Sequence, residues 1–424
     1  MIHISNLRKE SLDGWTRLIV DITDDEMGRN YLPESVMWLA VRDEDAHMLA
    51  DNVCDAFVLI PLYYGMYYKQ DVHIHGFVSK KLYKNVMKYL QRILCDFSDK
   101  LSRINITVDG FREAEADPNA RVIGTGISCG VDSLATIYNW YVKENDTDFR
   151  INGLFFLNAG WHGYFDDEDT EKLFLDRYAL NKPAADELNL PVYLVDSNFH
   201  AFSYRLYPYQ TGAMGYLANY SCILGLQRAI KKYYVSSTFS YSEIMMFGNL
   251  ARDDDSNEFI DFNEFSESYS VPLIQTEQLE LVIDGCQLER SLKTELISDW
   301  DITQKYLTPC MGQSRFGSDA HNCTRCPKCL RTLLVIEAMD KLEDFAGVFD
   351  IGTYREISYR YKCETVLNRS KNAFMHENYN FCKAHGLPLP SPFAAKMYFF
   401  MRRLKAFPKR FLRKINCFAS HVRG

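Results

Sequence analysis

The sequence predicts an α/β protein: a doubly wound parallel sheet, preceded by a small α+β domain and followed by a helical region. Three observations support this prediction. Apolar strand-like runs alternate with helical stretches over residues 121–345, β-rich runs surround one helix in residues 1–118, and residues 346–424 have a helical pattern. A chain of 424 residues also exceeds the length that one typical core needs.

The first predicted domain, residues 1–118, combines three strands with one helix. Apolar residues at helical spacing predict the helix over residues 82–101. The strands are predicted in the runs VMWLAV, AFVLIPLYYG (56–65) and INITVDGF (104–111). An acidic stretch with a proline, residues 112–120, is typical of a linker.

The second predicted domain, residues 121–345, alternates strands and helices. The strands are predicted in the runs RVIGTGI, INGLFFLNAG, PVYLVDSNF and YYVSSTF. Helices are predicted in VDSLATIYNWYVK, between residues 169 and 188, and in GYLANYSCILGLQRAIKKY. Because strands joined by helices of this length usually lie parallel, the pattern indicates βαβ units.

The third region, residues 346–424, ends in a basic tail. Residues 396–424 carry nine Lys or Arg and no acid, whereas the whole chain has a net charge of −8. The negative total excludes a chain-wide basic field for nucleic acid. The tail interleaves basic residues with phenylalanines, which suits nucleic acid, an anionic membrane surface or an acidic partner. Packing on the acidic body of the same protein is the alternative.

The N-terminus and the apolar runs predict a cytoplasmic protein without a transmembrane segment. No apolar stretch follows a basic start, and no run approaches the ~18 apolar residues of a membrane span. The twelve cysteines are then expected to be reduced or metal-bound.

The segment GTGISCGVDS (124–133) follows an apolar strand and opens a helix. Its small residues let a ligand approach the backbone, and free N–H groups at a helix start attract anions. Four interpretations compete: a nucleophile elbow with Ser128, a dinucleotide fingerprint with glycine spacing one residue off, a plain turn, and a pyrophosphate loop, S-x-G-x-D-S. A Walker A loop is excluded because the chain has no Gly-Lys pair.

A cysteine cluster supplies the second signal, with the spacing C-x12-C-x2-C-x2-C. Four thiolates on two close turns suit a closed, tetrahedral Zn²⁺ site, and an iron–sulfur cluster is the alternative. The remaining eight cysteines show no ligand spacing and are expected to be small buried residues. The predicted metal ligands are Cys310, Cys323, Cys326 and Cys329.

The loop resembles the pyrophosphate loop of the N-type ATP pyrophosphatases, usually S-G-G-x-D-S. Loop and cysteines in this order resemble the 7-cyano-7-deazaguanine synthase family over residues 121–342. Weaker matches lie between and beside them: Asp254 before Glu258-Phe259-Ile260, Lys293-Thr294-Glu295 for the family's K-A-E, and Arg331 after the last cysteine. The resemblance implies an adenine nucleotide alpha hydrolase-like, Rossmann-like fold, a structural zinc and a homodimer.

The resemblance also implies an activity: ATP is split into AMP and pyrophosphate while a carboxylate is adenylated for attack by a nitrogen nucleophile, with Mg²⁺ as cofactor. The implied catalytic residues are Ser128, Asp132, Ser133 and Lys293. The implied nucleotide contacts are Ser128, Cys129, Gly130, Val131, Asp132, Ser133, Asn158, Gly160 and Trp161. Cys129 replaces the family's glycine and is expected to need a negative φ. Lys293 and Arg331 are expected to bind carboxylate or phosphate, with an ordinary surface salt bridge as the alternative.

The resemblance does not fix the identity of the substrate, because the family's synthases lack the N-terminal domain and the basic tail. Synthase-like proteins with extra domains, from bacterial phage-defence gene sets, also resemble this chain. Their acceptor would be a protein or another large partner, such as a nucleic acid, reached through the N-terminal domain or the tail. A serine hydrolase that uses Ser128 and a nucleotide-binding module without turnover are the remaining alternatives.

Overall fold

The structure, a computed structural model, describes residues 1–25, 32–118, 121–160, 170–206, 211–247, 265–310 and 322–404. Residue contacts divide the chain into two compact units. Unit one comprises residues 1–289 and 300–308, and unit two comprises residues 290–299 and 309–424. These boundaries differ from the predicted ones at 118 and 345, because unit one joins the N-terminal region to most of the βαβ region.

Ten strands in the described part of unit one form a single, mostly parallel sheet, so the protein is of the α/β class. The strands are β1 (Ile2–Leu12), β2 (Trp15–Asp24), β3 (Val36–Arg42), β4 (Val72–Val78), β5 (Ile106–Phe111), β6 (Val122–Gly126), β7 (Gly153–Leu157), β8 (Val192–Ser197), β9 (Ile230–Ser236) and β10 (Glu280–Asp284). Their spatial order is β10-β9-β6-β7-β8-β3-β2-β1-β4-β5. The pairs β1–β2, β2–β3 and β3–β8 are antiparallel, and the other neighbours are parallel.

Helices connect these strands and build unit two. Those of unit one are α1 (Leu59–Tyr68), α2 (Lys80–Asn85), α3 (Gln91–Phe97), α4 (Val131–Ile137), α5 (Thr170–Glu187), α6 (Phe199–Arg205), α7 (Thr211–Gly225), α8 (Tyr241–Phe247), α9 (Glu267–Ser270) and α11 (Asp301–Tyr306). Those of unit two are α10 (Arg290–Ile297), α12 (Pro327–Ala338), α13 (Ile351–Asn368) and α14 (Ala373–Ala384). Single π-helical turns link α2 to α3 and extend α4.

One apolar core serves the whole sheet of unit one. It includes Val20 and Leu39 from the N-terminal strands together with Phe155, Phe199 and Leu217 from the βαβ region. Strand β3 also pairs directly with β8, where Leu39 lies opposite Ser197. The N-terminal strands are therefore structurally continuous with the strands that follow them.

The predicted strand at residues 56–65 is wrong. The segment forms a short 3₁₀ turn, Asp55–Phe57, followed by helix α1 (Leu59–Tyr68). A continuous apolar run has no period that separates a buried strand from a buried helix. Here Pro61 lies in the first turn of the helix, where its missing N–H costs no hydrogen bond, and eight of the ten helix residues are buried.

A buried carboxyl group, Asp55, ties three segments of unit one together. Its oxygens accept hydrogen bonds from the backbone N–H of Ser79 at 2.7 Å, the Ser79 hydroxyl at 2.5 Å and the side-chain amide of Gln227 at 2.8 Å. Thr276 in turn donates to Gln227 at 2.7 Å. Complete burial raises the pKa of Asp55 to about 6, because the loss of solvent outweighs the three donors.

None of the helices in the described residues combines the length and the apolar character that crossing a membrane requires.

Candidate functional site

The strand order of unit one places one loop at a reversal point of the sheet. Strand β6 lies between β7 and β9, so the chain runs outward from β6 through β7 and β8, and then outward on the other side through β9 and β10. In open parallel sheets, ligands bind beyond the carboxyl ends of the strands at such a reversal. The loop that follows β6 is residues 127–130, the predicted anion-binding segment.

Two serines hold this loop in shape. The hydroxyl groups of Ser128 and Ser133 are 3.0 Å apart, and Gly130 donates its N–H to the Ser128 hydroxyl at 3.3 Å. The Ser133 hydroxyl also donates to the Gly130 carbonyl at 3.3 Å. Ser128 is exposed, whereas Ser133 is buried at 6% exposure. Ser133 therefore stabilises the loop from its buried side, and the Ser128 hydroxyl is the one that a ligand can reach.

The expectation that Cys129 has a negative φ is wrong. Its φ is +49°, in the left-handed region that favours glycine. The backbone cost of a side chain there is about 1–2 kcal/mol. Two contacts accompany it: the thiol side chain is fully buried, and the Cys129 carbonyl accepts the N–H of Thr308 at 2.7 Å. The loop thus keeps the backbone shape expected of a glycine while carrying a cysteine.

The Cys129 thiol is not available as a nucleophile in this state. Burial raises its pKa to about 12, so the reactive thiolate is scarce at neutral pH.

Polar side chains from neighbouring strands meet at the same edge of the sheet. Asn158, after β7, donates its side-chain amide to Asp196 at 2.8 Å and accepts the Ser197 hydroxyl on its carbonyl at 2.7 Å. The Asn158 side-chain oxygen is buried and has no hydrogen-bond partner among the described residues. Gly160 follows with a φ of +118°. Sequence reasoning found Asn158 and Gly160 and missed Asp196, because only the strand order brings β8 beside β7.

A second missed contact fixes the helix that starts at the loop. The Thr136 hydroxyl, on α4, donates to the Asp284 carboxylate at the end of β10 at 2.7 Å. Both residues are buried, at 1% and 5% exposure. Since β10 lies two strands from β6, this bond couples the orientation of α4 to the far side of the reversal point.

Thr136→Val is expected to lower the free energy of unfolding by about 1–3 kcal/mol, because a buried carboxylate loses a donor while the side-chain shape is kept. Denaturant unfolding measures the change. Thr303→Val is the matched control: the Thr303 hydroxyl is equally buried in unit one but has no hydrogen-bond partner in the described part of the chain. Equal losses in both variants would show that the Thr136–Asp284 bond contributes nothing.

The two other residues predicted to bind a carboxylate or phosphate, Lys293 and Arg331, belong to unit two. Lys293, on α10, has a side chain only 1% exposed. Arg331, on α12, is 8% exposed, and its guanidinium carbon lies 3.8 Å from the centre of the Phe374 ring. Arg331 and Glu377 help to line an indentation too small to admit a water molecule. Burial of both side chains argues against the alternative of an ordinary surface salt bridge.

The four predicted metal ligands converge in unit two. Their sulfur atoms all lie within 4.8 Å of one another. Individual Sγ–Sγ separations are 3.4 Å for Cys326–Cys329, 3.9 Å for Cys310–Cys326 and 3.9 Å for Cys323–Cys329. A tetrahedral ion with Zn–S bonds near 2.3 Å separates its sulfurs by about 3.8 Å. The cluster could therefore hold a metal ion such as zinc.

Local structure presents these thiols. Cys326 caps helix α12 and accepts the N–H of Cys329 at 3.5 Å, while Cys323 accepts the N–H of Cys326 at 3.3 Å. Asn322, 1% exposed, accepts the N–H of Cys310 at 3.2 Å and donates to the Val348 carbonyl at 2.9 Å. These bonds position the sulfurs before any metal binds.

Several predicted residues lie outside the described part of the chain. These are Trp161, Asp254, Glu258, Phe259, Ile260 and the basic tail from Lys405 onward.

Searches of protein-family models, curated protein sequences and solved structures gave no match to this chain.

Proposed function

We propose that the protein is an ATP pyrophosphatase of the ligase type, which forms AMP and pyrophosphate while it adenylates a carboxylate for attack by a nitrogen nucleophile. The observation that carries the proposal is the position of the S-x-G-x-D-S loop at the reversal point of a parallel sheet. We also propose that this sheet is doubly wound and has the adenine nucleotide alpha hydrolase-like fold. The 7-cyano-7-deazaguanine synthases supply the first substrate to test, a 7-deazaguanine carboxylate.

The loop has the chemistry for a polyphosphate. Its N–H groups and the exposed Ser128 hydroxyl are donors, and the start of α4 adds a favourable dipole. Gly130 is the residue that caps α4. Because it has no side chain, a ligand can approach the first N–H groups of the helix closely. Ser133 keeps the Ser128 hydroxyl in place. Val131 and Cys129 are buried and contribute backbone alone.

Asp132 is the acid in the first turn of α4. A carboxylate there stabilises the helix by about 0.3–1 kcal/mol, yet it would repel a phosphate. A divalent cation removes that conflict, and Mg²⁺ prefers oxygen ligands from carboxylate and phosphate. When bound, Mg²⁺ would neutralise charge on the departing pyrophosphate. Asp132 is the residue of this loop suited to hold it.

The proposed reaction has two steps. In the first, a carboxylate oxygen of the substrate attacks the α-phosphorus of ATP, the bond to the bridging oxygen breaks, and pyrophosphate leaves with that electron pair. In the second, ammonia or an amine attacks the acyl carbon, and AMP leaves. The nitrogen loses a proton to solvent or to a nearby base. This chain's loop residues bind and orient the phosphates in both steps.

The cysteine cluster has a structural part in this proposal. Four sulfurs complete a tetrahedral shell and leave no position for substrate, which is typical of structural zinc. Lys293 and Arg331 are proposed as ligands for the substrate carboxylate or a phosphate. A homodimer follows from the same family resemblance.

The test is pyrophosphate release by the purified full-length chain, supplied with ATP, Mg²⁺, 7-carboxy-7-deazaguanine and ammonium. Asp132→Ala is expected to reduce release at least ~100-fold, because one group that stabilises transition-state charge is removed. The same variant should lose less than about 1 kcal/mol of stability. Asp176→Ala, an exposed acid on α5, is the control and should keep full activity.

Three outcomes separate the alternatives. Full ATP cleavage by Asp132→Ala would contradict the loop assignment. Labelling of Ser128 by a fluorophosphonate would favour the hydrolase, although the Ser128 hydroxyl hydrogen-bonds to Ser133 and Gly130 and to no described histidine. ATP binding by the wild-type chain without turnover of any carboxylate would favour a binding module.

A further inference from the structure

A second group of ligand-type side chains lies on the N-terminal strands of unit one, away from the loop and the cysteines. Strands β1, β4 and β5 are parallel neighbours, and their register places His3 beside His73 and His73 beside Thr107. Because side chains alternate along a strand, His75 shares the face of His73. The intervening Ile74 is fully buried, so this face points away from the core.

The ring and carboxylate atoms on this face converge. His73, His75 and Asp109 each offer one ligand atom, and these atoms lie within 4.8 Å of one another. Nε2 of His73 is 3.4 Å from a carboxylate oxygen of Asp109. Nδ1 of His3 is 3.2 Å from Nε2 of His75. Ligands of a tetrahedral ion with bonds of 2.0–2.1 Å are about 3.3 Å apart, so the separation between His73 and Asp109 suits a shared ion.

The other ring nitrogens are already oriented. Nδ1 of His73 is 2.7 Å from the Thr107 hydroxyl, which directs its Nε2 toward Asp109. Nε2 of His3 is 3.0 Å from the Asp25 carboxylate, which directs its Nδ1 toward His75. Metal-binding histidines usually have their second nitrogen held in this manner, because the partner fixes the tautomer and the ring orientation.

We propose that His73, His75 and Asp109 form a binding site for a divalent transition-metal ion of the zinc class, with His3 as a neighbour that holds the His75 ring. Imidazole nitrogens with one carboxylate select such ions over Mg²⁺ and Ca²⁺, which take oxygen ligands. The site is accessible, since the side chains of His73 and Asp109 are 24% and 51% exposed. It is separate from the cysteine cluster, because it lies in unit one and contains no sulfur.

The test is calorimetric titration of ZnCl₂ into the full-length chain at pH 7.5, prepared without a histidine tag and with the cysteine cluster already loaded. We expect one further zinc equivalent. His73→Gln and Asp109→Asn should each weaken its binding at least 10-fold, and Thr107→Val, which removes only the orienting hydroxyl, should weaken it about 10-fold.

His47→Gln is the matched control, since His47 belongs to unit one but bonds only to the Glu44 carbonyl among described groups. Co²⁺ bound at the proposed site should show no thiolate-to-metal charge-transfer absorption. The absence of a second zinc equivalent in the wild-type chain would overturn the proposal, as would unchanged binding in Thr107→Val or in a folded His73→Gln protein. Thr107→Val is a strand-compatible change, so it decides the question even where His73→Gln fails to fold.

Discussion

Cys329→Ser is expected to release the metal of the cysteine cluster and to destabilise unit two by more than about 4 kcal/mol. A serine hydroxyl stays protonated at neutral pH and does not replace a thiolate ligand. The cluster lies at the start of α12, whose residue Leu334 packs against Tyr361 and Cys382 of α13 and α14. Loss of the ion therefore removes the anchor of the helix on which these contacts depend.

Two measurements check this expectation. Metal analysis after gel filtration in a mild chelator should find one tightly bound ion in the wild-type chain and none in the variant. In denaturant unfolding, unit two of the variant should unfold at a lower denaturant concentration than unit two of the wild-type chain. Cys382→Ala is the control, a fully buried cysteine of the same unit outside the cluster, which should keep the metal. A Cys329→Ser protein that retains its metal would contradict the assignment.

Asp55→Asn is expected to make the protein less sensitive to pH between about 4 and 7. The pKa of Asp55 is about 6 in the folded protein against 3.8 in a model peptide, so folding favours the neutral acid. The stability contributed by that neutral form is complete below pH 3.8 and is lost as the pH rises through 6. At 1.36 kcal/mol per pKa unit, the loss is roughly 3 kcal/mol by pH 7.

The measurement is the free energy of unfolding of both proteins across this pH range. The difference between Asp55→Asn and wild type should move in favour of the variant by roughly 2.4 kcal/mol from pH 4 to pH 7. The nearby Glu277 also raises the pKa of Asp55, and it remains in both proteins. Asp99→Asn, at an exposed position, is the control substitution. A constant difference would mean that Asp55 titrates normally.

The features that sequence predicted correctly are local ones. The strand before residue 127, the helix that begins at Val131 and the four-cysteine spacing each depend on neighbours a few residues apart. The helix predicted over residues 82–101 is likewise confirmed over residues 82–97, where α2, a π-helical turn and α3 follow one another.

The features that escaped sequence reasoning depend on distant neighbours. The bond between Thr136 and Asp284 joins residues 148 positions apart, and no local pattern predicts it. Strands β1, β2, β4 and β10 were missed as well, since they mix polar and apolar residues with weak turn signals. His73 and His75 form a visible H-x-H pair, but Asp109 joins it only through the register of β4 with β5.

The positive φ of Cys129 could not be predicted from its residue type either. A cysteine was expected to avoid positive φ, yet the local cost of about 1–2 kcal/mol is small beside the burial of its side chain and the bond from Thr308. Tertiary contacts decided this conformation.

The pairing of β3 with β8 gives the N-terminal region a protective role. Strand β8 would otherwise end the five-stranded parallel half of the sheet, and its row of unpaired N–H and C=O groups would invite pairing with other chains. Strands β3, β2, β1, β4 and β5 cover that border and share the apolar core beneath it. Residues 1–118 thus cover the edge of β8, and a shortened chain that begins after them is expected to expose that edge to pairing with other chains.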